Sequence, residues 1–190
     1  MSLDEYREKR DFERTPEPPP GSSSRRGNLY VIQKHDASRL HYDLRLEYDG
    51  VLLSWAVPKG PSLNPADKRL AVRTEDHPLD YANFEGVVPE GEYGGGTVMV
   101  WDTGTFGNIK DIPLAEALAA GHVEVQLHGE KLKGAWALIQ MKGRGEKNWL
   151  LVKMKDDHAD RETDVTESLP DSALSGRSLE EIAAGGPADA

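Results

Sequence analysis

The stretch that decides the fold is LHYDLRLEYDGVLLSWAV, residues 40–57. Polar and apolar residues alternate through its first half, which is the period of a β-strand with one buried face. Asp49-Gly50 separates this half from a second run rich in Val, Leu and Trp. Asp-Gly between two such runs is a strong hairpin signal. The stretch therefore predicts two antiparallel strands joined by a tight turn.

Runs of the same texture recur on both sides of this hairpin, and each is bounded by Gly, Pro, Asn or Asp. They are NLYVIQKH, RLAVRTED, GTVMVWD, HVEVQLHG, GAWALIQMKG and NWLLVKM. Eight short apolar runs within about 130 residues are typical of a compact β-barrel or sandwich. We expect a mainly β fold, a closed or nearly closed barrel of about eight strands with a short helix.

Two segments carry helix signals. IPLAEALAAG, residues 112–121, has a proline near its start and Gly121 where a C-cap belongs, which predicts a helix over Pro113–Ala120 packed against or plugging the barrel. Near the C-terminus, Ser178-Leu179-Glu180-Glu181 fits a capping box and predicts a short helix near Leu179–Ala184.

The two ends differ from the centre in composition. Residues 1–26 are charged and then rich in Pro, Gly and Ser, which indicates an arm and linker. Residues 27–155 form the predicted barrel. Residues 156–190 hold ten acidic residues and two arginines. This composition predicts an acidic, mostly flexible tail. Most of the net charge of −10 lies in that tail, so the centre can present a local basic site.

Composition also limits the class of protein and of metal site. With no cysteine there is neither a disulfide framework nor a thiolate metal site. No apolar run approaches the roughly 20 residues needed to span a bilayer, and no apolar segment follows the first charges, MSLDEYREKR. We expect a cytoplasmic protein in which any metal is held by His, Asp or Glu.

The strand at residues 40–48 concentrates polar chemistry on one face. Period two places His41, Asp43, Arg45 and Glu47 together, and His35 ends the preceding run. Two imidazoles and one carboxylate form a facial ligand set that suits Mn²⁺, Fe²⁺ or Zn²⁺. Arg45, one strand step further on, can grip a phosphate that also touches the metal. The competing interpretation is an ordinary solvated sheet face.

Two further segments are candidates. Around RTEDHPLDY, residues 73–81, alternation that starts at Arg69 places four polar side chains on one strand face: Arg69, Arg73, Glu75 and His77. His77 precedes a proline and should be extended there, where it can bind phosphate or protonate a leaving oxygen, and Tyr81 can donate a hydrogen bond. The glycines at 94–96 allow a phosphate-cradling loop, although a tight barrel corner is the favoured interpretation. The four tryptophans lie inside apolar runs and predict core packing.

These stretches, taken together, resemble a known family. The matching text is YREKRDFERTPEP, YVIQKHDASRLHYDLRLE, WAVPKGPS, RTEDHPLDYANFEGVVPEGEYGGGTV, HGEKLKGAWALI and NWLLVKM, in order from residue 6 to about 155. The chain resembles the 3′-phosphoesterase module of bacterial DNA ligase D and its stand-alone relatives. The resemblance implies a compact β-barrel with a Mn²⁺ site. It also implies removal of a 3′-terminal ribonucleotide by a phosphodiesterase step that needs a neighbouring 2′-OH, and then of the 3′-phosphate.

The resemblance also implies roles for single residues. His35, His41 and Asp43 match the metal ligands of the family, and Arg45 and His77 match residues that engage the scissile phosphate, with Tyr81 beside them. Supporting positions match Gln33, Lys59, Arg69 and Glu75, and the family's N-terminal arm is matched by Arg10, Asp11 and Glu17. By this interpretation the arm folds over the site at least through Glu17.

The expected partners are 3′ ends of DNA or of RNA–DNA primer-templates, as in non-homologous end joining. A ligase or polymerase partner would be a separate chain, and we expect a monomer. Two other classes stay open: a cupin-like metal-dependent oxygenase, which would not need Arg45 and His77 beside its metal, and a non-catalytic module that binds strand ends.

Overall fold

The computed structural model describes residues 2–21 and 27–185. Within those residues the chain forms an antiparallel β-barrel with four short helices. The strands are β1 (Leu29–Asp36), β2 (Leu40–Tyr48), β3 (Val51–Val57), β4 (Arg69–Pro78), β5 (Gly86–Val88), β6 (Gly96–Asn108), β7 (His122–Gly129), β8 (Lys133–Gln140) and β9 (Asn148–Lys153). The helices are α1 (Asp4–Glu8), α2 (Leu114–Ala120), α3 (Val165–Ser168) and α4 (Leu179–Ala184), and a 3₁₀ helix spans Leu79–Asn83.

The barrel closes through a pairing that is distant in sequence. Its strands follow the order β1-β2-β3-β4-β9-β8-β7-β6, and β6 pairs back with β1, while β5 adds to the edge of β6. The expected closed barrel of about eight strands is confirmed. The hairpin at residues 40–57 is also present, because Asp49 and Gly50 both have positive φ, at 50° and 80°. Positive φ at both central residues is the requirement of the favoured two-residue turn.

The two faces of each strand have different surroundings. Side chains from all eight barrel strands meet in one apolar cluster, which is the barrel interior. Tyr42, Leu44 and Leu46 of β2 belong to it, as their alternation predicts, whereas Leu40 at the strand start is exposed. The polar residues of β2 therefore lie on the outer face.

A second apolar cluster covers part of that outer face. It joins Tyr6 of α1 and Tyr81 of the 3₁₀ helix to the outward side chains Val31, Leu52 and Val100. Tyr6 is fully buried, and its hydroxyl donates to the carbonyl of Pro18 at 2.6 Å. The N-terminal arm thus packs on the barrel over this range. The serines and arginines of the predicted linker, residues 22–26, lie outside the described residues.

Both predicted helices are present. Gly121 ends α2 with φ of 75°, and Leu114 and Ala117 of this helix enter the barrel core. The capping box of Ser178 starts α4 as expected. The acidic C-terminal segment contacts the barrel at several points, since Val165 and Ile182 also belong to the core cluster. Among the described residues, no helix is long and apolar enough to cross a membrane.

Candidate metal and phosphate site

The first two strands bring two histidines and one aspartate together. His35 lies directly opposite His41 in the β1–β2 register, and Asp43 follows two residues later on the same face. His41 Nε2 is 3.3 Å and His35 Nδ1 is 3.8 Å from Asp43 Oδ2. One ligand atom from each residue lies within 4.8 Å of the other two. The expected ligand set is therefore assembled by local strand pairing.

Backbone carbonyls fix the orientation of both rings. His35 Nε2 donates to the carbonyl of Gly94 at 2.6 Å, and His41 Nδ1 donates to the carbonyl of Arg39 at 2.9 Å. Because a carbonyl only accepts, these nitrogens carry the ring protons. His35 Nδ1 and His41 Nε2 are then the nitrogens that face Asp43 Oδ2. Each can donate to this carboxylate or, with its lone pair free, bind a metal ion. The two carbonyls are the outer support that metal-binding histidines usually have, and the three residues fit a transition metal with open coordination positions.

The carboxylate of Asp43 is held in its charged form. Burial raises the pKa of Asp43, but hydrogen bonds from His35 and His41 and the charge of Arg45 lower it by more, so the pKa lies well below its ordinary value. An ionised carboxylate is the form that binds a metal ion.

The guanidinium of Arg45 is fixed beside this carboxylate. Its Nε donates to Gln33 Oε1 at 2.7 Å, and its Nη1 donates to Ser54 Oγ at 2.8 Å. Its Nη2 lies 3.6 Å from Asp43 Oδ2. Gln33 is itself clamped, since its amide nitrogen donates to the carbonyls of Tyr81 and Phe84. Arg45 is thus rigid before any ligand arrives, with further N–H groups on its terminal nitrogens to offer an anion.

A β-bulge turns His77 towards the same place. Leu52 pairs with His77 and Ser54 pairs with Thr74, so one residue of β3 lies opposite two residues of β4. The extra residue reverses the alternation, which is the usual effect of a bulge. His77 consequently joins the outer face, together with Leu52 and Ser54.

His77 is held as a neutral ring. Its Nδ1 donates to the carbonyl of Glu75 at 2.9 Å, so Nε2 carries the lone pair and accepts from Arg10 Nη2 at 3.4 Å. Burial, followed by the charges of Arg45 and Arg10, holds the pKa of His77 well below its ordinary value.

The N-terminal arm supplies a buried ion-pair network to this site. Arg10 pairs with Glu17 at 3.0 Å and with Glu75 at 3.3 Å, and all three side chains are almost fully buried. Tyr81 donates its hydroxyl to Glu17 at 2.6 Å. Burial, and then the carboxylate of Glu17, raises the pKa of Tyr81 well above its ordinary value, so the phenol keeps its proton.

These groups surround one cleft of about 280 Å³. Nine of the predicted residues line it: Arg10, Glu17, His35, His41, Asp43, Arg45, Glu75, His77 and Tyr81. A neutral imidazole, a fixed guanidinium and a candidate metal site therefore face a single small space, which is the set of groups that phosphoryl chemistry uses.

Comparison with known proteins decides the family. The sequence model of the DNA ligase D 3′-phosphoesterase domain matches residues 33–140, more than half of the chain. The chain belongs to this family. It is 55% identical over 185 residues to the multifunctional non-homologous end joining protein LigD of Pseudomonas aeruginosa, covering 93% of this chain and 22% of that protein. The LigD proteins of Mycolicibacterium smegmatis and Mycobacterium tuberculosis are each 48% identical, over 88% and 81% of this chain. The chain spans about a fifth of the length of these relatives.

Four residues that the resemblance assigned to this site do not line the cleft. Gln33 lies behind it as the acceptor for Arg45. Lys59 is exposed in the turn after β3, and Asp11 is exposed, with its carboxylate accepting from the amide of Glu13. Arg69 lies on β4 before the bulge, opposite the core residue Leu151, and its nearest ion pair is with Asp67. The predicted common face of β4 does not hold for Arg69 and Arg73, because the bulge separates them from His77.

Three further residues have roles that the sequence did not predict. Glu47 shares the face of Asp43, yet its carboxylate accepts from the amides of Gly27 and Leu29 at the start of β1. Gly94 supports His35 through its carbonyl, and Tyr93 beside it lines the cleft. The glycine run at 94–96 was the signal for this loop, and the loop serves both as a barrel corner and as a wall of the site.

Proposed function

We propose that this phosphoesterase module is a Mn²⁺-dependent 3′-end-healing hydrolase. It removes a 3′-terminal ribonucleoside and then the 3′-phosphate from DNA or RNA primer strands, and leaves a 3′-OH for repair. The observation that carries the proposal is that the two histidines and Arg45 converge on one carboxylate, Asp43. A metal and a phosphate-binding guanidinium would then lie side by side in a cleft of one-nucleotide size.

The proposed ligands are His35 Nδ1, His41 Nε2 and a carboxylate oxygen of Asp43. A bound divalent metal supplies charge neutralisation at the phosphate and lowers the pKa of water. The backbone carbonyls of Gly94 and Arg39 keep both rings in the binding tautomer, so the ligands need little rearrangement.

The proposed role of Arg45 is to bind the non-bridging oxygens of the phosphate. Gln33 and Ser54 accept from two of its nitrogens, so the orientation of the remaining N–H groups is fixed. Donors fixed in advance stabilise the charge that grows in phosphoryl transfer without a reorganisation cost.

His77 has a proton-dependent role in this proposal. Its Nε2 accepts in the ligand-free form, because Nδ1 is committed to the Glu75 carbonyl. An anionic phosphate, with one negative charge in the diester step and up to two in the monoester step, would offset the charges of Arg45 and Arg10, which together with burial lower the pKa of His77. The ring then takes a proton at Nε2 and donates it towards the phosphate or the leaving oxygen.

The names of the relatives suggest the setting. They are multifunctional end joining proteins, so we propose that this module acts in end joining, together with a ligase and a polymerase, and that it is a cytoplasmic monomer.

The deciding experiment uses two primers annealed to a template, one ending in a single ribonucleotide and one ending in a 3′-phosphate. The purified chain is assayed with Mn²⁺, with Zn²⁺ or Mg²⁺, and with a chelator. Mn²⁺-dependent release of the ribonucleoside, followed by phosphate, is expected. Intact primers in every condition would contradict the hydrolase, and binding without cleavage would favour the strand-end binding module.

Variants assign the proposed roles. His41→Ala is expected to lose both activities together with bound Mn²⁺, and His122→Ala, whose side chain is 43% exposed on β7, is the matched control. Arg45→Ala is expected to keep its metal and to lose activity by at least about 100-fold, as for other fixed donors. Arg144→Ala in an exposed turn is its control. A normal Mn²⁺ content in His41→Ala would count against the ligand assignment.

A further inference from the structure

The rim of the cleft carries an exposed aromatic side chain. Tyr93 lies in the loop between β5 and β6, lines the cleft and is 47% exposed. The next residue, Gly94, accepts the hydrogen bond from His35 at 2.6 Å. The position of Tyr93 is therefore fixed one residue away from a contact with a proposed metal ligand.

Two cations of the N-terminal arm hold the ring of Tyr93. Lys9 Nζ lies 4.7 Å and Arg10 Cζ 5.3 Å from its centroid. Lys9 also donates to the Tyr93 hydroxyl at 3.3 Å and pairs with Glu75 at 3.3 Å. Cation–π contacts of this kind attract the ring and so restrict its orientation. A ring ordered in advance loses less side-chain entropy when a ligand covers its remaining surface.

The size of the cleft limits what can lie against this ring. Its volume of about 280 Å³ is near the lower end of the roughly 300–1,000 Å³ of small-ligand pockets. A duplex does not fit such a space, but one nucleotide at a strand end does. Arg45 and Tyr93 both line the cleft, so a nucleotide whose phosphate is at Arg45 has Tyr93 among the side chains available to its nucleoside.

We propose that Tyr93 stacks on the base of the 3′-terminal nucleoside and so determines a preference for termini that carry a base. This inference rests on the proposed function. Stacking between an aromatic side chain and a base tolerates any sequence and is worth about 1–3 kcal/mol. It suits an enzyme that must accept whichever ribonucleotide ends the strand.

The test compares primers that differ only at the terminus: a terminal ribonucleotide, a terminal abasic ribose, and a penultimate abasic site below a normal ribonucleotide. The full chain and Tyr93→Ala are assayed on each. The loss of kcat/KM on the ribonucleotide primer is expected to exceed that on the terminally abasic primer by about 5- to 150-fold. The loss should appear mainly as a higher KM, and Tyr93→Phe and Tyr93→Trp should restore kcat/KM.

An equal loss on the first two primers would overturn the proposal, as would a loss that depends on the penultimate base instead. Rescue by Phe distinguishes stacking from a disturbed loop. If the wild-type chain cleaves none of the primers, the proposed function fails, and binding of the same primers by fluorescence anisotropy then decides the role of Tyr93. Weaker binding of Tyr93→Ala only to base-bearing termini supports stacking, and equal binding refutes it.

Discussion

The ion pair between Arg10 and Glu17 holds the N-terminal arm on the site, and a double-mutant cycle measures its strength. The two side chains are 4% and 2% exposed, and Arg10 Nε lies 3.0 Å from Glu17 Oε2. Arg10 also pairs with Glu75 and lies over the ring of Tyr6 at 4.0 Å. Removing either charge therefore leaves a buried partner, which is expensive.

The two single substitutions should differ in cost. Arg10→Met leaves the buried Glu17 without its cation and Glu75 with Lys9 alone, so we expect a loss of about 3–5 kcal/mol. Glu17→Gln leaves Arg10 paired with Glu75 and keeps a side-chain oxygen that can accept from the Tyr81 hydroxyl. We therefore expect a loss of stability of about 1.5–3 kcal/mol. The double variant should lose about 1–3 kcal/mol less stability than the two single variants together. In the double variant neither Arg10 nor Glu17 is left as an unpaired charge.

Urea unfolding measures the global loss, and hydrogen exchange at residues 4–17 measures opening of the arm alone. Exchange is needed because the arm can detach while the barrel stays folded, which limits the loss seen by urea. Arg14→Met is the control, since Arg14 is 72% exposed where it pairs with Glu92 and such pairs contribute about 0–1 kcal/mol. Additive single costs, or costs equal to that of the control, would refute the buried network as the anchor of the arm.

Three further outcomes are expected. In metal-free buffer, His77 should contribute a loss of stability as pH drops below about 6.5, by at most about 1.4 kcal/mol per pH unit, because the unfolded chain protonates His77 and the folded chain does not. His41 contributes in the opposite direction, because burial lowers its pKa by less than the hydrogen bond and the charge of Asp43 together raise it, so the difference between wild type and His77→Gln in urea unfolding isolates the contribution of His77. Glu85→Gln should speed tryptic cleavage after Arg177, because the buried Glu85 carboxylate accepts from Ser172 and pairs with Arg177. Lys153→Met should lower stability by about 2–3 kcal/mol, because the fully buried ammonium pairs with Asp156 at 2.7 Å.

Each of these outcomes has a contrary result. The same pH slope in wild type and His77→Gln would show that His77 is not the titrating group. Glu116→Gln, in an exposed position of α2, is the control for Glu85, and equal cleavage rates would show that Glu85 does not anchor the C-terminal segment. A thermal or urea midpoint of Lys153→Met equal to that of wild type would show that the buried ammonium contributes nothing net.

Local sequence determined much of the barrel and the centre of the site. Alternation along β2 has a period set by strand geometry, so it placed His41, Asp43 and Arg45 on one face before any packing was known. Asp49-Gly50, Gly121 and the Ser178 capping box act within a few residues, and for that reason their turn and helix ends were predictable. The proposed ligand role of His35 depended only on the neighbouring strand.

Tertiary structure decided what depends on distant segments. The bulge in β4 moved His77 onto the site and left Arg69 and Arg73 on the other face, and a bulge is set by how strands pack, which the alternation of one strand does not encode. The composition of the N-terminal arm predicted a linker, yet Tyr6, Arg10 and Glu17 are buried there against the 3₁₀ helix and β4. The acidic C-terminal segment likewise contributes Val165 and Ile182 to the core. The sequence by itself thus determined the strands and the face that carries the proposed metal ligands, whereas only long-range pairing and burial decided which other residues enclose that face.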